Sequence, residues 1–492
     1  MSTLPVNLYR AAQVREFDRV AIEECGIPGA TLMERAGRAA FEVLRAHWPQ
    51  ARRVVVVCGT GNNGGDGFVV ARLSQHAGLE VCVLRMGEEG ALRADARAAL
   101  EAVRAAGVEV VPFSAARLKD TELIVDALFG IGLDREVSGV WRDVIEAVNH
   151  AHKHVLALDI PSGLDADSGA VLGAAVRASV TISFLALKQG VFTGAALDYS
   201  GKVVFDDLGV PQEITQRAVP AAVRLTRENL PRLKLRARDS HKGDYGRVLV
   251  IGGDHGMAGA ARLAAEAAAR VGAGLVYVAT RAAHASYISA QRPELLCYGV
   301  ENAEQLQPLL EKADVIAIGP GLGQSPWALE LFNAALRTSL PLIVDADALT
   351  LLAQHPCARA NWILTPHPGE AGRLLNCAGS VIQRDRYHAV RELQAKHGGV
   401  AVLKGAGTLI AAESAPVGVC TAGNPGMASA GMGDVLTGVM AGLSAQGMTL
   451  ADAARLGVSL HAQAGDEAAQ RGERGLLASD LFAPLRALVN RA

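Results

Sequence analysis

Short aliphatic runs alternate with amphipathic stretches along nearly the whole chain, and this alternation narrows the fold more than any other feature. Near-continuous Val, Ile and Leu runs belong in strands buried on both faces, the situation of a parallel sheet covered by helices. In the first half the pattern predicts strands at 53–57, 81–84, 123–126, 155–159, 180–184 and 203–205, with helices at 11–24 and 93–105. Near 210 the periodicity lapses. Pro211, Pro220 and Pro231 punctuate a stretch ending in a basic run at 232–238, which reads as a linker with solvated charges. Alternation then restarts, with strands at 248–251, 275–279, 315–318, 342–344 and 362–364, a helix at 258–271, and late helices at 430–446, 452–470 and 479–490. No short-period repeat is present. The chain reads as α/β: two three-layer α/β/α domains, at 1–218 and 219–492.

Half of the residues are hydrophobic but only 4% are aromatic, so the apolar share is mostly small and aliphatic, and a chain this apolar is not disordered. Lys and Arg number 48 against 50 Asp and Glu, a balance that argues against nucleic acid or an anionic membrane as partner. The uncharged stretch between Asp434 and Asp452 is broken by polar residues and glycine, and reads as buried helix. Arg10, Arg15, Glu16, Asp18 and Arg19 stand where a signal peptide would be apolar. The seven cysteines are scattered, with no C-x-x-C pair. These features point to a soluble, cytoplasmic protein that acts on small molecules, with neither nucleic acid nor membrane as partner. A homo-oligomer is expected, although nothing in the sequence sets its subunit number.

The first strand runs into Cys58-Gly59-Thr60-Gly61-Asn62-Asn63-Gly64-Gly65-Asp66-Gly67. Gly59, Gly61 and Gly64 fit the G-x-G-x-x-G spacing, in which bare backbone approaches a pyrophosphate at a helix N-terminus. A tight strand-to-helix turn capped by Asp66 satisfies the same letters. A dehydrogenase would also close its second strand with an acidic residue, and Arg85 stands there instead.

The string Asn62-Asn63-Gly64-Gly65-Asp66 resembles the N-terminal domain of the NAD(P)H-hydrate epimerases, a Rossmann-like fold. Three more strings carry the resemblance over most of residues 10–210. They are Met33-Glu34-Arg35-Ala36-Gly37, the stretch from Asp126 through Gly130-Ile131-Gly132-Leu133-Asp134-Arg135 to Glu136, and Asp159-Ile160-Pro161-Ser162-Gly163. Asn63, Asp126 and Ser162 offer hard oxygens suited to an alkali cation rather than zinc, and the resemblance implies potassium there. It also implies that 62–66 and 130–136 hold the hydrated dinucleotide. Asp159 is the candidate for contact with the hydrated ring and for acid/base work at C6; a carboxylate capping the turn before Pro161 is the plainer reading.

In the second half, Lys404-Gly405-Ala406-Gly407-Thr408 follows a strand, and a stretch from Asn424 to Gly431-Met432-Gly433-Asp434 opens a long helix. No Walker-type P-loop string occurs. Gly431 and Gly433 would present bare amides as an anion hole, with Asp434 aimed at an acceptor hydroxyl. Together with Lys242–Gly253, Met257–Ala260, Gly319–Gly323, Asp345–Leu349 and Thr365–Glu370, these strings resemble the ribokinase-like superfamily, specifically its NAD(P)H-hydrate dehydratases. The resemblance implies that Lys404, Gly405, Ala406, Gly407, Thr408, Asn424, Gly431 and Gly433 bind ADP or ATP. It implies that Ala260, Gly321, His367 and Asp434 contact the hydrate, with Asp434 catalytic. Superfamily kinases usually carry Asn-x-x-Glu for magnesium; here His367-Pro368-Gly369-Glu370 leaves Glu370 for that part and His367 as a departure.

The reading is a bifunctional repair enzyme that epimerises the R and S hydrates of NADH and NADPH and dehydrates the S hydrate with ADP or ATP, using K+ in the first domain and Mg2+ in the second. Hydroxide is a poor leaving group and phosphate a good one, which explains why a dehydratase resembles a kinase. The alternatives are a vitamin or sugar kinase fused to a non-catalytic nucleotide-binding module, and a first half acting as a scaffold.

Overall fold

The computed structural model describes residues 4–491. The chain forms two compact units, one up to Val223 and the other from Arg224 on.

In the first unit a short strand, β1 (Asn7–Leu8), pairs antiparallel with β9 (Ala222–Arg224), Leu8 opposite Ala222. Between them lies a seven-stranded sheet: β2 (Arg53–Cys58), β3 (Glu80–Arg85), β4 (Glu109–Pro112), β5 (Leu123–Ala127), β6 (His154–Leu158), β7 (Val180–Phe184) and β8 (Lys202–Asp206). Every pairing in it is parallel, in the order β4-β3-β2-β5-β6-β7-β8. Alternate side chains of one strand enter opposite layers. Val54, Val56 and Cys58 pack with the helices Ala11–Glu23, Gly29–His47, Asn62–His76 and Ala94–Ala105, while Val55 and Val57 pack with helix Val140–His150. The three-layer expectation holds here. The order reverses between β2 and β5, and ligands bind outside the carboxyl ends of strands at such a switch point.

The second unit contains β10 (Arg247–Ile251), β11 (Leu275–Thr280), β12 (Leu296–Gly299), β13 (Val315–Ile318), β14 (Leu342–Val344), β15 (Trp362–Leu364), β16 (Val400–Leu403), β17 (Leu409–Ala411) and β18 (Val417–Val419). They run in the order β18-β17-β16-β15-β14-β13-β10-β11-β12. From β16 to β12 all neighbours are parallel, and β17 and β18 add an antiparallel edge. The switch point lies between β10 and β13. Helices Ala258–Arg270 and Met432–Ala445 share one core with the strands, and Met432–Ala445 packs its other side on Leu450–Ala468.

The expected linker is partly structured, since Gln212–Gln216 is helical and β9 lies within it. The seven cysteines are free. Among the described residues no helix is long and apolar enough to cross a membrane.

Candidate active sites

In the first unit the glycine loop is dictated by close approach. A Cβ on Gly59 would lie 2.1 Å from the Leu128 carbonyl oxygen, and one on Gly64 would lie 2.1 Å from that of Gly59. The loops after β2 and β5 therefore touch backbone to backbone. Helix Asn62–His76 begins directly after Gly61, which supplies no side-chain cap, so its first amides are open to an anion. Asp66 is not the cap considered above. It lies one turn inside the helix, because the chain turns helical at the first asparagine.

Asn63, Asp126 and Ser162 come together. Ser162 donates through Oγ to Asp126 Oδ1 at 2.6 Å and through its amide to Oδ2 at 2.8 Å, while its Oγ accepts from the Phe129 amide at 2.8 Å. Asn63 Nδ2 donates to the Phe129 carbonyl at 2.9 Å, and its buried Oδ1 has no hydrogen-bond partner among the described residues. Burial pushes the Asp126 carboxyl up to about 6, against the hydrogen bonds from Ser162 and Leu128. An orphaned amide oxygen beside a hydroxyl, a carboxylate and a carbonyl fits a hard cation of low charge. Gly130 lies against the Asn63 side chain. The rest of the loop is looser: Gly132, Asp134, Arg135 and Glu136 are exposed, Leu133 donates to the Gly130 carbonyl, and Arg15 reaches the Ile131 carbonyl at 3.3 Å.

Asp159 stands one residue beyond β6 with φ +67°, a left-handed conformation rare outside glycine and asparagine. Its Oδ1 meets the Lys188 ammonium, which is wholly buried and also donates to Ser183 Oγ at 3.2 Å and the Phe184 carbonyl at 2.9 Å. Asp159 is therefore one half of an ion pair rather than a simple capping carboxylate. Burial and the neighbouring Asp159 push Asp18 up, and burial with Asp159 and Asp18 pushes Asp66 well above the usual carboxyl range.

The sequence reading missed Lys188 and Asp18, and both carried a signal. Lys188 is a lone charge between the aliphatic Leu185-Ala186-Leu187 and Val191-Phe192. Asp18 is four residues after Val14 and three before Ala21, on the helix face that also buries Phe17.

In the second unit, Asp345 follows β14 and Lys404 follows β16. Lys404 Nζ lies 2.5 Å from Asp345 Oδ1 and 3.8 Å from Glu370 Oε2. Burial opposes charge on both. For Lys404 it is outweighed chiefly by Asp345 and Glu370, which raise its pKa; for Asp345 it is outweighed by Lys404 and Thr365, which lower it. Helix Met432–Ala445 starts over this pair. Its cap position is Gly431 at φ +89°, with no capping side chain, and a Cβ on Gly433 would lie 3.3 Å from Lys404 Nζ. Asp434, in the first turn, is pushed up to about 7 by burial and then by Asp345, with Lys404 opposing.

His367 is exposed but anchored. Its Nδ1 accepts from the amides of Gly369 and Glu370, and Glu370 Oε2 accepts from the His367 amide at 2.8 Å, a reciprocal cap on helix Pro368–Leu375. Burial, with Lys404 and Arg373, pushes its imidazole down toward the neutral form. Gly321, at φ +58°, is packed so closely that a Cβ would meet Met257 at 2.8 Å and Ala260 at 3.1 Å. Asp347 connects the groups: its Oδ2 accepts from the Gly323 amide, and its charge raises Asp434.

The loop at 404–408 rests on a residue the sequence did not single out. Fully buried Arg386 donates to the carbonyls of Leu403 and Lys404 at 3.3 and 3.2 Å and lies under Gly405, whose φ is +127°. Thr408 closes the loop through its hydroxyl to the Gly405 carbonyl. Asn424 Nδ2 donates to Asp466 at 2.9 Å, and its Oδ1 accepts from the Gly426 amide.

Comparison with known proteins covers both units. Residues 29–190 match the family described as YjeF-related protein N-terminus, and 248–486 match the family described as NAD(P)H-hydrate dehydratase. The chain is 52% identical over 486 residues to the bifunctional NAD(P)H-hydrate repair enzyme Nnr of Coxiella burnetii, covering 98% of this chain and 99% of that protein. It is 44% identical over 493 residues to the enzyme of the same name from Escherichia coli strain K12, with coverage of 99% and 95%. A solved ADP/ATP-dependent NAD(P)H-hydrate dehydratase from Bacillus subtilis aligns at 29% identity and TM-score 0.47, over 54% of this chain and 99% of that one. The chain belongs to the family of bifunctional NAD(P)H-hydrate repair enzymes.

Proposed function

We propose that the first unit interconverts the R and S hydrates of NADH and NADPH at C6 through Asp159, and that the second removes water from the S hydrate through Asp434, with ADP or ATP as phosphoryl donor. The observation that carries the reading is Asp434 itself. It is a carboxyl poised near neutrality in the first turn of an uncapped helix, beside a buried lysine. A base in that position takes the C6 hydroxyl proton while the amides of 432–434 and Lys404 face the transferring phosphoryl oxygens. The phosphate then leaves and restores the dihydronicotinamide.

Lys404, Gly405, Ala406, Gly407, Thr408, Gly431 and Gly433 are assigned to the nucleotide. Ala260, Gly321 and His367 are assigned to the hydrate, with Asn424 supporting the nucleotide side from its link to Asp466. In the first unit the stretch 62–66, whose first amides are open, and the loop 130–136 take the dinucleotide's phosphates. Asn63, Asp126 and Ser162, with the Phe129 carbonyl, would hold potassium, which would offset the buried Asp126 charge and tie three strand ends together. Glu370 would reach magnesium through Oε1, since Oε2 already serves the helix cap; magnesium would screen the nucleotide's phosphates.

The test is recovery of reduced-nicotinamide absorbance from an equilibrated mixture of R and S NADH hydrates, with magnesium, potassium and either ADP or ATP. Complete, rapid recovery is expected. Recovery of the S fraction alone would reduce the first unit to a binding module. A stable phosphorylated product in place of reduced nicotinamide would favour the small-molecule kinase.

A further inference from the structure

We propose that epimerisation is run by two carboxyl groups, Asp159 as base through Oδ2 and Asp66 as acid, with Lys188 as the positioning residue that assigns those roles. The proposal rests on the reading of the first unit as the epimerase and names the groups that would perform it.

Four ionisable side chains from four elements converge there. Asp18 and Asp66 come from helices Ala11–Glu23 and Asn62–His76, Asp159 follows β6, and Lys188 follows β7. Lys188 is paired with Asp159, and its charge also acts on Asp18 and Asp66. Lys188 directs its donors at Asp159 Oδ1, Ser183 Oγ and the Phe184 carbonyl, and the Phe184 amide donates to the same Oδ1 at 3.2 Å. Oδ1 is occupied twice over, which leaves Oδ2 to face a ligand. A single buried cation offsets a single carboxylate, and further carboxyls facing the pair lower their energy by keeping protons. Asp66 follows that rule: burial, then Asp159 and Asp18, push it up, and only Lys188 pulls the other way. Of these two carboxyls, Asp66 sits one turn from the amides assigned to the phosphates.

C6 of the hydrate bears both the hydroxyl and ring nitrogen N1. Asp159 Oδ2 takes the hydroxyl proton as the oxygen's electron pair forms a C6=O bond. The C6–N1 bond breaks with its pair going to N1, which takes the proton of Asp66. Rotation about C5–C6 and reversal of the same steps close the ring on the other face and return both protons. No oxidant, reductant or co-reactant enters.

The experiment uses the full chain without nucleotide and follows exchange between chromatographically separated R and S NADH hydrates. Dehydration of the S hydrate with ADP serves as the control on the second unit. Asp66→Asn, which keeps size and polarity, is expected to lower kcat for exchange by on the order of 10²–10⁴-fold, with KM within about threefold of the parent. Lys188→Met should lose kcat similarly, and Lys188→Arg should regain part of it. Asp66→Asn with parental kcat, or with a loss confined to KM, would overturn the assignment of the acid. Parental kcat in Lys188→Met would overturn the positioning role. Undiminished exchange in Asp159→Asn would instead show that the reading of Asp159 as the base has failed.

Discussion

Lys404 and Asp345 meet at 2.5 Å beneath Gly433, so an ion pair underlies the uncapped start of a buried helix. The pair is anchored from strand ends on either side of β15. Asp345→Asn would leave the lysine in a dry site without its principal counter-charge. Breaking a buried pair from one side typically costs about 3–5 kcal/mol. The expected outcome is a lower urea midpoint for loss of dehydration, with the urea dependence of epimerisation unchanged.

Asp434 sets the pH response of dehydration. Its carboxyl is raised to about 7, so the base form is depleted as pH falls through that value and is complete well above it. The kcat/KM for the S hydrate is therefore expected to climb tenfold per pH unit below about 7 and to level off above. Asp434→Asn should abolish dehydration and leave R/S exchange intact. A flat profile from pH 5.5 to 8.5 would remove Asp434 from the role of base.

Potassium dependence should reside in the first unit. Ser162→Ala removes both the hydroxyl that binds Asp126 and an acceptor for the Phe129 amide. Exchange by the parent enzyme is expected to fall when potassium is replaced by tetramethylammonium. In Asn63→Ala and Ser162→Ala it should be slow in either salt. Dehydration assayed with the S hydrate alone should not distinguish these variants from the parent.

Arg386 offers a test of the loop proposed to hold the nucleotide, at a residue not itself assigned to a ligand. Arg386→Met leaves the carbonyls of Leu403 and Lys404 without that donor, and a buried unsatisfied group costs about 1–3 kcal/mol. The loop should lose its fixed shape. KM for ADP is expected to rise on the order of tenfold or more, while KM for the S hydrate changes little; steady-state kinetics varying each substrate in turn would separate the two.

The central strands were the most legible part of the sequence. Those at 315–318, 342–344 and 362–364 fall where the apolar runs place them, because a strand buried on both faces has no polar position to blur its pattern. Edge strands β4 and β12 went unpredicted, each half open to solvent and too mixed to stand out. The hairpin β17–β18 was also missed. At the sites, glycine strings flagged every loop where backbone must approach backbone. Lys188, Asp18 and Arg386 escaped because each acts from behind such a loop, where tertiary packing alone decides whether a charged residue in an apolar stretch is buried with a purpose.

The backbone at Asp159 also filters what mutation can do there. At φ +67° an ordinary Cβ-bearing residue carries a steric penalty that asparagine and glycine largely escape. An alanine scan would thus mix strain with lost chemistry, and asparagine is the cleaner probe. The same filter acts over evolutionary time. A descendant lineage that gives up epimerisation but keeps the first unit as a binding platform has two easy exits at this position, and Asn or Gly there would mark a retired enzyme from sequence alone.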